Sequence, residues 1–224
     1  MSHYEIEIKT LLGSKENADK LKENMCKLDS NTACTSTNKQ LNHYFKDGDV
    51  KALYEKTRSL FNEDQLSKFT TMIEKGSSFS VRTRQRDEEV LLVVKASLDA
   101  GTSENTVTRL EVEETVSISL DELDALVLDS GFDYQAKWSR EREEFEYKGI
   151  TVCLDRNAGY GYLAEFEKVI DDEEQLESVR AELVQLMEEL EVEELAQDQL
   201  ERMFEHYNSN WPEYYGTDKT FVIE

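Results

Sequence analysis

The chain has 224 residues and a formal net charge of −23, with 49 acidic and 26 basic side chains. This length allows one large domain with a sizeable core, or one domain with a helical appendage. The acidic excess argues against binding of nucleic acid, or of an anionic membrane, through a basic surface. An anionic ligand would have to meet basic side chains that are concentrated in one place.

The cysteines argue against a disulfide framework and against a zinc site, because Cys26, Cys34 and Cys153 are odd in number and form no CxxC pair. The longest apolar run, residues 90–94, is far too short to cross a bilayer. The N-terminus is polar and enters a strand pattern at once, unlike a signal peptide. We therefore expect a cytoplasmic protein with no membrane partner.

The N-terminal stretch 4–9 alternates strictly between apolar and charged residues. Side chains of a strand alternate between its two faces, so Glu5, Glu7 and Lys9 share one face of a strand predicted over residues 4–12. For one such strand alone, a solvated outer face would be the simplest interpretation.

A helix is predicted over residues 15–28, where apolar residues recur at helical spacing behind Ser14, a suitable N-cap. Residues 29–39 are rich in Ser, Thr and Asn and are predicted to form a loop. A second strand is predicted over residues 40–46, ended by an Asp-Gly turn.

Residues 49–77 are predicted to contain an inserted helix. Asn62 and Gln65 have the spacing of a capping pair, and Gly76 is a plausible C-cap. This insertion could be a lid or specificity element, or a simple connector that covers the edge of the sheet.

A hairpin is predicted from strands at 78–86 and 90–97. Its first strand places three basic residues on one face: Arg82, Arg84 and Arg86. Lys95, on the partner strand, shares parity with Leu91 and Val93. A lysine on an otherwise apolar face is more often functional or paired than incidental.

A polar loop at 99–105 precedes a strand predicted over residues 106–119. One face of that strand carries Arg109, Glu111 and Glu113. Ser119 and Glu122 form a capping box, which opens a short helix that stops at Gly131.

Three further strands are predicted over residues 132–147, 150–155 and 162–169. The first carries alternate charged residues on one face: Arg140, Arg142, Glu144 and Glu146. The last carries Glu165 and Glu167. Several strands with one ionised face each are easier to explain as a closed barrel with a charged interior than as a sheet that faces water.

From Asp171 the apolar period becomes helical, which predicts an amphipathic helix to Leu190 and a second helix over residues 193–207. The remaining tail, 208–224, contains the only proline, Pro212, and could fold back over the barrel or plug one mouth. The sequence leaves open whether the protein is a monomer or a homodimer.

The motifs on these strands together resemble the CYTH superfamily, the triphosphate tunnel metalloenzymes. ExExK at residues 5–9 is a weak match alone, but it is followed in order by RxR, a strand Lys, RxExE, RxR and ExE. The resemblance covers residues 4–169. The family includes thiamine triphosphatases, inorganic triphosphatases and class IV adenylyl cyclases.

The resemblance implies an α+β fold, a closed antiparallel β-barrel of eight strands with peripheral helices. We expect this tunnel over residues 1–170, with residues 171–224 as a C-terminal helical extension packed on it in the same domain. It also implies a small-molecule triphosphate substrate inside the tunnel and a divalent metal cofactor, Mg²⁺ or Mn²⁺.

Carboxylates would repel a triphosphate, and a hard divalent cation that prefers oxygen ligands explains their presence. By resemblance, the metal ligands are Glu5, Glu7, Glu111, Glu113, Asp155, Glu165 and Glu167. Of these, the first ion would be held by Glu5, Glu165 and Glu167. Glu7 would contribute to a second ion. The alternative is that acids and bases only pair as structural salt bridges.

By resemblance, the residues along the phosphate path are Lys9, Arg82, Arg84, Lys95, Arg109, Arg140 and Arg142. Lys137 competes with the pair at 140 and 142, but it lies on the other face unless a bulge intervenes. Arg86 has no assigned role. Lys9 and Lys95 are the candidate catalytic residues, which could orient or deprotonate a water.

Three functions fit this pattern: a metal-dependent triphosphatase, a class IV adenylyl cyclase that forms cyclic AMP and pyrophosphate from ATP, and a non-catalytic binder of polyphosphate or nucleotide. No adenine-recognition pattern is evident, which favours the hydrolase. The group attached to the triphosphate is left open.

Overall fold

The computed structural model describes residues 4–97, 109–170 and 172–223. The loop predicted at 99–105 lies outside this part of the chain. The fold is α+β, with an antiparallel sheet of eight strands and six α-helices in the described ranges. None of these helices is both long enough and apolar enough to span a membrane.

The strands follow the predicted alternation closely. Their bounds are β1 Tyr4–Gly13, β2 Ala33–Lys46, β3 Ser78–Arg86, β4 Glu89–Ser97, β5 Arg109–Val116, β6 Asp133–Tyr147, β7 Ile150–Asn157 and β8 Gly161–Ile170. The order in the sheet is β1-β8-β7-β6-β2-β3-β4-β5. Among the described residues no ladder joins β1 to β5, so the predicted closure into a barrel is not confirmed.

The helices are α1 Lys15–Leu28, α2 Val50–Thr57, α3 Glu63–Lys75, α4 Leu120–Leu128, α5 Leu176–Glu189 and α6 Gln197–Tyr214. Three predicted N-caps are confirmed: Ser14 accepts a hydrogen bond from the backbone of Asn17, and capping boxes join Asn62 to Gln65 and Ser119 to Glu122. These caps are local in sequence, which is why the residue pattern alone could predict them.

The chain divides into two compact units, Met1–Lys39 with Ser139–Glu224, and Gln40–Trp138. In the first unit, α1 and α5 pack on the apolar face of β1, β7 and β8. Fully buried members of this core include Ile8, Leu21, Val152, Phe166 and Leu183. The charged residues alternate with these strand residues, so they lie on the other face.

In the second unit, α2, α3 and α4 supply the apolar residues that cover one face of β3, β4 and β5. Leu53, Phe69 and Leu123 pack in one cluster with Val81 and Leu92, and all five are fully buried. The insertion at 49–77 therefore forms part of this core, as expected of a segment that covers the sheet.

The structure corrects the predictions for three segments, and the simplest correction is that β5 ends at Val116 rather than at residue 119. β2 begins at Ala33, so residues 33–39 are strand rather than loop. Most of these side chains are exposed or half-buried, and their polarity reflects solvent rather than a turn. The sequence also predicted one helix in the 49–77 insertion, whereas α2 precedes α3 and is capped by Asp49, which accepts from the backbone of Lys51.

The C-terminal helix begins and ends later than predicted, at Gln197 rather than residue 193 and at Tyr214 rather than residue 207. α6 includes Pro212, which was predicted to lie in the tail beyond the helix. Proline removes a backbone donor and disturbs the preceding turn, but here it lies within the last turn and the helix ends two residues later. Beyond α6 the chain folds back on the first unit, where Gly159 N donates to Lys219 O at 2.8 Å.

Candidate functional site

One face of the first unit collects charged residues from four strands. The antiparallel register places Glu7 opposite Glu167 and Lys9 opposite Glu165. Asp155 lies opposite Arg142 on β6. Because directly opposed residues point to the same side of the sheet, residues far apart in sequence form one charged surface.

Glu165 is the centre of this surface. Lys9 Nζ lies 3.2 Å from Glu165 Oε1 and also contacts Glu7. Arg142 donates a hydrogen bond to the other oxygen of Glu165. Burial alone would raise the pKa of the Glu165 carboxyl, but the charges of Lys9, Arg142 and Arg140 outweigh burial and lower this pKa to about 2. Glu165 is therefore ionised at neutral pH.

Asp155 is almost fully buried, with 1% exposure, and orients two arginines. Arg142 donates from Nε and Nη2 to its two oxygens, both at 2.7 Å, and Arg140 Nη1 donates at 2.8 Å. Such two-pronged contacts fix the plane of a guanidinium. Burial lowers the pKa of Arg142, but its bonds to Asp155 prevail and raise it, so the guanidinium stays charged.

The donor set of this face fits a hard divalent cation. Ligand atoms of Cys153, Glu165 and Glu167 lie within 4.8 Å of one another. Burial raises the pKa of the Cys153 thiol, which stays protonated and is a poor ligand. The two carboxylates remain, and oxygen ligands are those that Mg²⁺ and Mn²⁺ prefer. The backbone of Glu5 pairs with Val169 on the adjacent strand, but its side chain lies outside the described part.

A second charged face lies within the second unit. Tyr44 pairs with Arg82, and Asn42 with Arg84, across β2 and β3. Along the same face, Lys95 lies opposite Glu111 on β5. The register between β3 and β4 pairs Lys95 with Ser80 and Arg82 with Val93, so the arginines of β3 and the lysine of β4 lie on one face of the sheet.

Acidic and basic side chains pair on this face as well. Arg84 Nη1 donates to both oxygens of Glu113 at 3.1 Å, and Lys95 Nζ lies 3.2 Å from Glu111 Oε2. Arg109 is the first residue of β5 and pairs through its backbone with Ser97, while its side chain lies outside the described part.

Arg82 differs from its neighbours because a tyrosine holds it. Its Nη1 donates to Tyr44 Oη at 2.8 Å, and its guanidinium carbon lies 5.3 Å from the centre of the Tyr44 ring. Its Nε is buried and has no hydrogen-bond partner within the described residues. An unsatisfied buried donor is costly, so in solution this atom is expected to bond to a water or to a ligand oxygen.

Lys137, the alternative basic residue on β6, contacts two residues of the second unit. Its Nζ lies 3.7 Å from Asp124 Oδ2 and 4.2 Å from the centre of the Tyr134 ring. Arg140 and Arg142 instead reach Asp155 in the first unit. The charged face of the first unit therefore contains the arginine pair.

Two contacts of these faces, those of Asn42 and Tyr44, were not predicted from the residue pattern. Asn42 Oδ1 accepts from Arg84 Nε at 2.9 Å, much as Tyr44 accepts from Arg82. Both residues alternate with the buried His43 and Phe45. That alternation in a predicted strand was the available indication.

Comparison with protein families gives one match: the CYTH domain model matches residues 73–200, more than half of the chain. Comparison with curated proteins found no match.

Solved structures of the same fold cover most of the chain. The PH1819 protein of Pyrococcus horikoshii OT3 superposes with a TM-score of 0.59 at 20% identity, over 91% of this chain and 99% of that one. The PH1012 protein of the same organism gives 0.59 at 17% identity, over 84% and 91%. A candidate adenylate cyclase from Vibrio parahaemolyticus gives 0.57 at 18% identity, over 90% and 99%. At these identities the likeness concerns the fold alone.

Proposed function

Because this chain belongs to the CYTH family, we propose that it is a divalent-metal-dependent hydrolase that releases phosphate from a triphosphate. The substrate is inorganic tripolyphosphate or an organic triphosphate such as thiamine triphosphate. The observation that carries the proposal is the position of the Glu165 carboxylate, with Glu167 beside it and Lys9 and Arg142 in contact with it.

The carboxylates of the first unit would hold the cation, Mg²⁺ or Mn²⁺, with Glu165 and Glu167 as the central ligands. The other proposed ligands in this unit are Glu5, Glu7 and Asp155. Glu111 and Glu113 are proposed as ligands on the charged face of the second unit. A bound divalent cation neutralises phosphate charge and makes a bound water a better nucleophile. A purely structural role would explain this face poorly, because buried ion pairs contribute little net stability.

The basic residues would bind and orient the phosphates. Arginine suits this task because its planar fork donates two parallel hydrogen bonds to phosphate oxygens. Asp155 would keep the guanidiniums of Arg140 and Arg142 in fixed orientations before substrate arrives. Lys9 and Lys95 are the candidates for orienting a water, because phosphoryl transfer depends mainly on positioning and charge neutralisation.

The second candidate is a class IV adenylyl cyclase, the kind of activity for which the Vibrio structure is named. A non-catalytic polyphosphate binder is the third. We propose that the protein acts in the cytoplasm, where such soluble metabolites are found. It would act there as a monomer or as a homodimer.

The test is to incubate the purified protein with Mg²⁺ or Mn²⁺ and, separately, tripolyphosphate, thiamine triphosphate and ATP, and to resolve the products. We expect release of free phosphate, and we expect EDTA to abolish this release. Cyclic AMP with pyrophosphate from ATP would establish the cyclase instead. Binding of tripolyphosphate without product would indicate the binder.

Glu165→Gln tests the metal role directly. We expect metal-dependent phosphate release to fall by at least about 100-fold, because a neutral amide is a weak ligand for a hard cation. Glu141→Gln is the matched control, since Glu141 is exposed and on the opposite side of β6. Circular dichroism must show that both variants are folded, and an unchanged rate in Glu165→Gln would refute the role.

A further inference from the structure

The contact between Tyr44 and Arg82 has features that a structural role does not explain. The phenol oxygen accepts from Arg82 Nη1 at 2.8 Å, and the guanidinium lies over the Tyr44 ring. Together these contacts fix the position of one nitrogen and the plane of the group.

Arg82 keeps its charge uncompensated within its unit. Arg84 pairs with Glu113, Arg86 with Glu89 and Lys95 with Glu111. Within the described residues no carboxylate pairs with Arg82, and its hydroxyl partner is neutral. A half-buried cation of this kind attracts an anion more strongly than a cation that is already paired.

The nitrogen atoms that remain available on the guanidinium also distinguish Arg82 from Arg84. Arg84 uses its Nε on Asn42 and its Nη1 on Glu113. Arg82 uses only Nη1 on Tyr44, and its buried Nε has no partner among the described residues. The Nε and Nη2 edge of a guanidinium donates two parallel hydrogen bonds, which match two oxygens of one phosphoryl group.

We propose that Tyr44 is a positioning residue, which holds the Arg82 guanidinium so that its Nε and Nη2 edge binds one phosphoryl group of the ligand in two-pronged fashion. The inference rests on the proposed function for the class of ligand, a triphosphate. Tyr44 acts through Arg82 and need not touch the ligand itself.

Tyr44→Phe tests the proposal because it removes the hydroxyl and keeps the ring. We expect tripolyphosphate to bind about tenfold more weakly by calorimetry in metal-free buffer, the value of one hydrogen bond to a charged group. In turnover, KM should rise by a similar factor while kcat changes little. Equal affinity of the variant and the parent would overturn the proposal.

Tyr54→Phe is the matched control in the same unit. Tyr54 also lies near an arginine, with the guanidinium of Arg58 at 5.9 Å from its ring centre, but its hydroxyl accepts from Thr70 and not from that arginine. The affinity of the Tyr54→Phe variant for tripolyphosphate should stay within about twofold of that of the parent. A tenfold loss here would show that the Tyr44 result is not specific and would overturn the inference.

The second test adds Tyr44→Phe to a protein that already carries Arg82→Lys. Lysine keeps the charge but lacks the fork, so adding Tyr44→Phe to it should cost far less than tenfold. The same tenfold loss in that background would mean that Tyr44 acts independently of Arg82, against the proposal. If the parent protein hydrolyses none of the triphosphates, the proposed hydrolase is refuted. If Tyr44→Phe still weakens tripolyphosphate binding in that case, the positioning role of Tyr44 stands.

Discussion

Asp124, a single buried carboxylate, ties α4 to the strand that carries the arginines of the second unit. It is 3% exposed, and it accepts from Thr83 Oγ1 and Tyr134 Oη, both at 2.6 Å. His43 Nδ1 lies 2.7 Å from its Oδ2. Thr83 stands between Arg82 and Arg84 on β3, so the carboxylate anchors that strand from its core side.

Asp124→Asn should lower the free energy of unfolding by about 3 kcal/mol, because an amide turns a donor toward groups that themselves donate. Urea denaturation at pH 7 measures the loss. Asp121→Asn, an exposed position on the same helix, is the control and should cost less than about 1 kcal/mol. Equal losses at the two positions would contradict the special role of Asp124.

The same residue gives a pH dependence. Burial raises the pKa of Asp124, but hydrogen bonds from His43, Thr83 and Tyr134 outweigh burial and lower it below the ordinary value. A lowered folded-state pKa stabilises the fold above the unfolded value of about 4, and the contribution is lost as pH falls through the folded value. The difference in unfolding free energy between the parent and Asp124→Asn should therefore shrink as pH falls below about 4, and a constant difference would contradict this.

The C-terminal tail is held as an element by the turn between β7 and β8. Gly159 donates to Lys219 and accepts from Phe221, both at 2.8 Å. Its φ is +86°, and a Cβ at this position would meet the Tyr207 ring at 2.7 Å. The tail therefore requires glycine here for two reasons, backbone conformation and space.

Gly159→Ala should destabilise the protein more than Gly149→Ala does. Gly149 has a similar φ of +78° but nothing within 4 Å of an added Cβ, so it isolates the backbone term of about 1–2 kcal/mol. The clash at Gly159 should add about 1–3 kcal/mol. Urea denaturation measures the free energy of unfolding of both variants. Equal decreases would show that the structure around Gly159 accommodates the added Cβ at no extra cost.

The charge of −23 acts on the whole molecule. Like charges in excess repel one another in the compact state, and salt screens this repulsion. Raising NaCl from about 0.02 M to about 0.5 M, with EDTA present, should stabilise the fold by about 1 kcal/mol and raise Tm by about 3 °C. Differential scanning calorimetry measures the shift, and a lower Tm would show that favourable ion pairs outweigh the repulsion.

At the level of the chain, the sequence by itself determined most of the elements and their faces, with α2 as the helix that it did not predict. Helix caps such as Asn62 with Gln65 involve neighbours a few residues apart, and the side-chain period of a strand decides that Glu165 and Glu167 share a face. The exposed polar start of β2 escaped prediction because the same composition suits a loop. The end of α6 was predicted too early because of Pro212. A proline is tolerated in the last turn of a helix, and composition alone does not show where that last turn lies.

Only the tertiary structure decided which charges meet. The contact of Lys9 with Glu165 and the saturation of Asp155 by two arginines depend on strand register. The register joins Lys9 to a residue more than a hundred positions away, and it brings both arginines to Asp155 across neighbouring strands. The hold of Tyr44 on Arg82 likewise depends on the pairing of β2 with β3. Local patterns fix the face on which a side chain lies, whereas long-range pairing fixes its partner, and these partners decide the charge and the available hydrogen bonds of each candidate site residue.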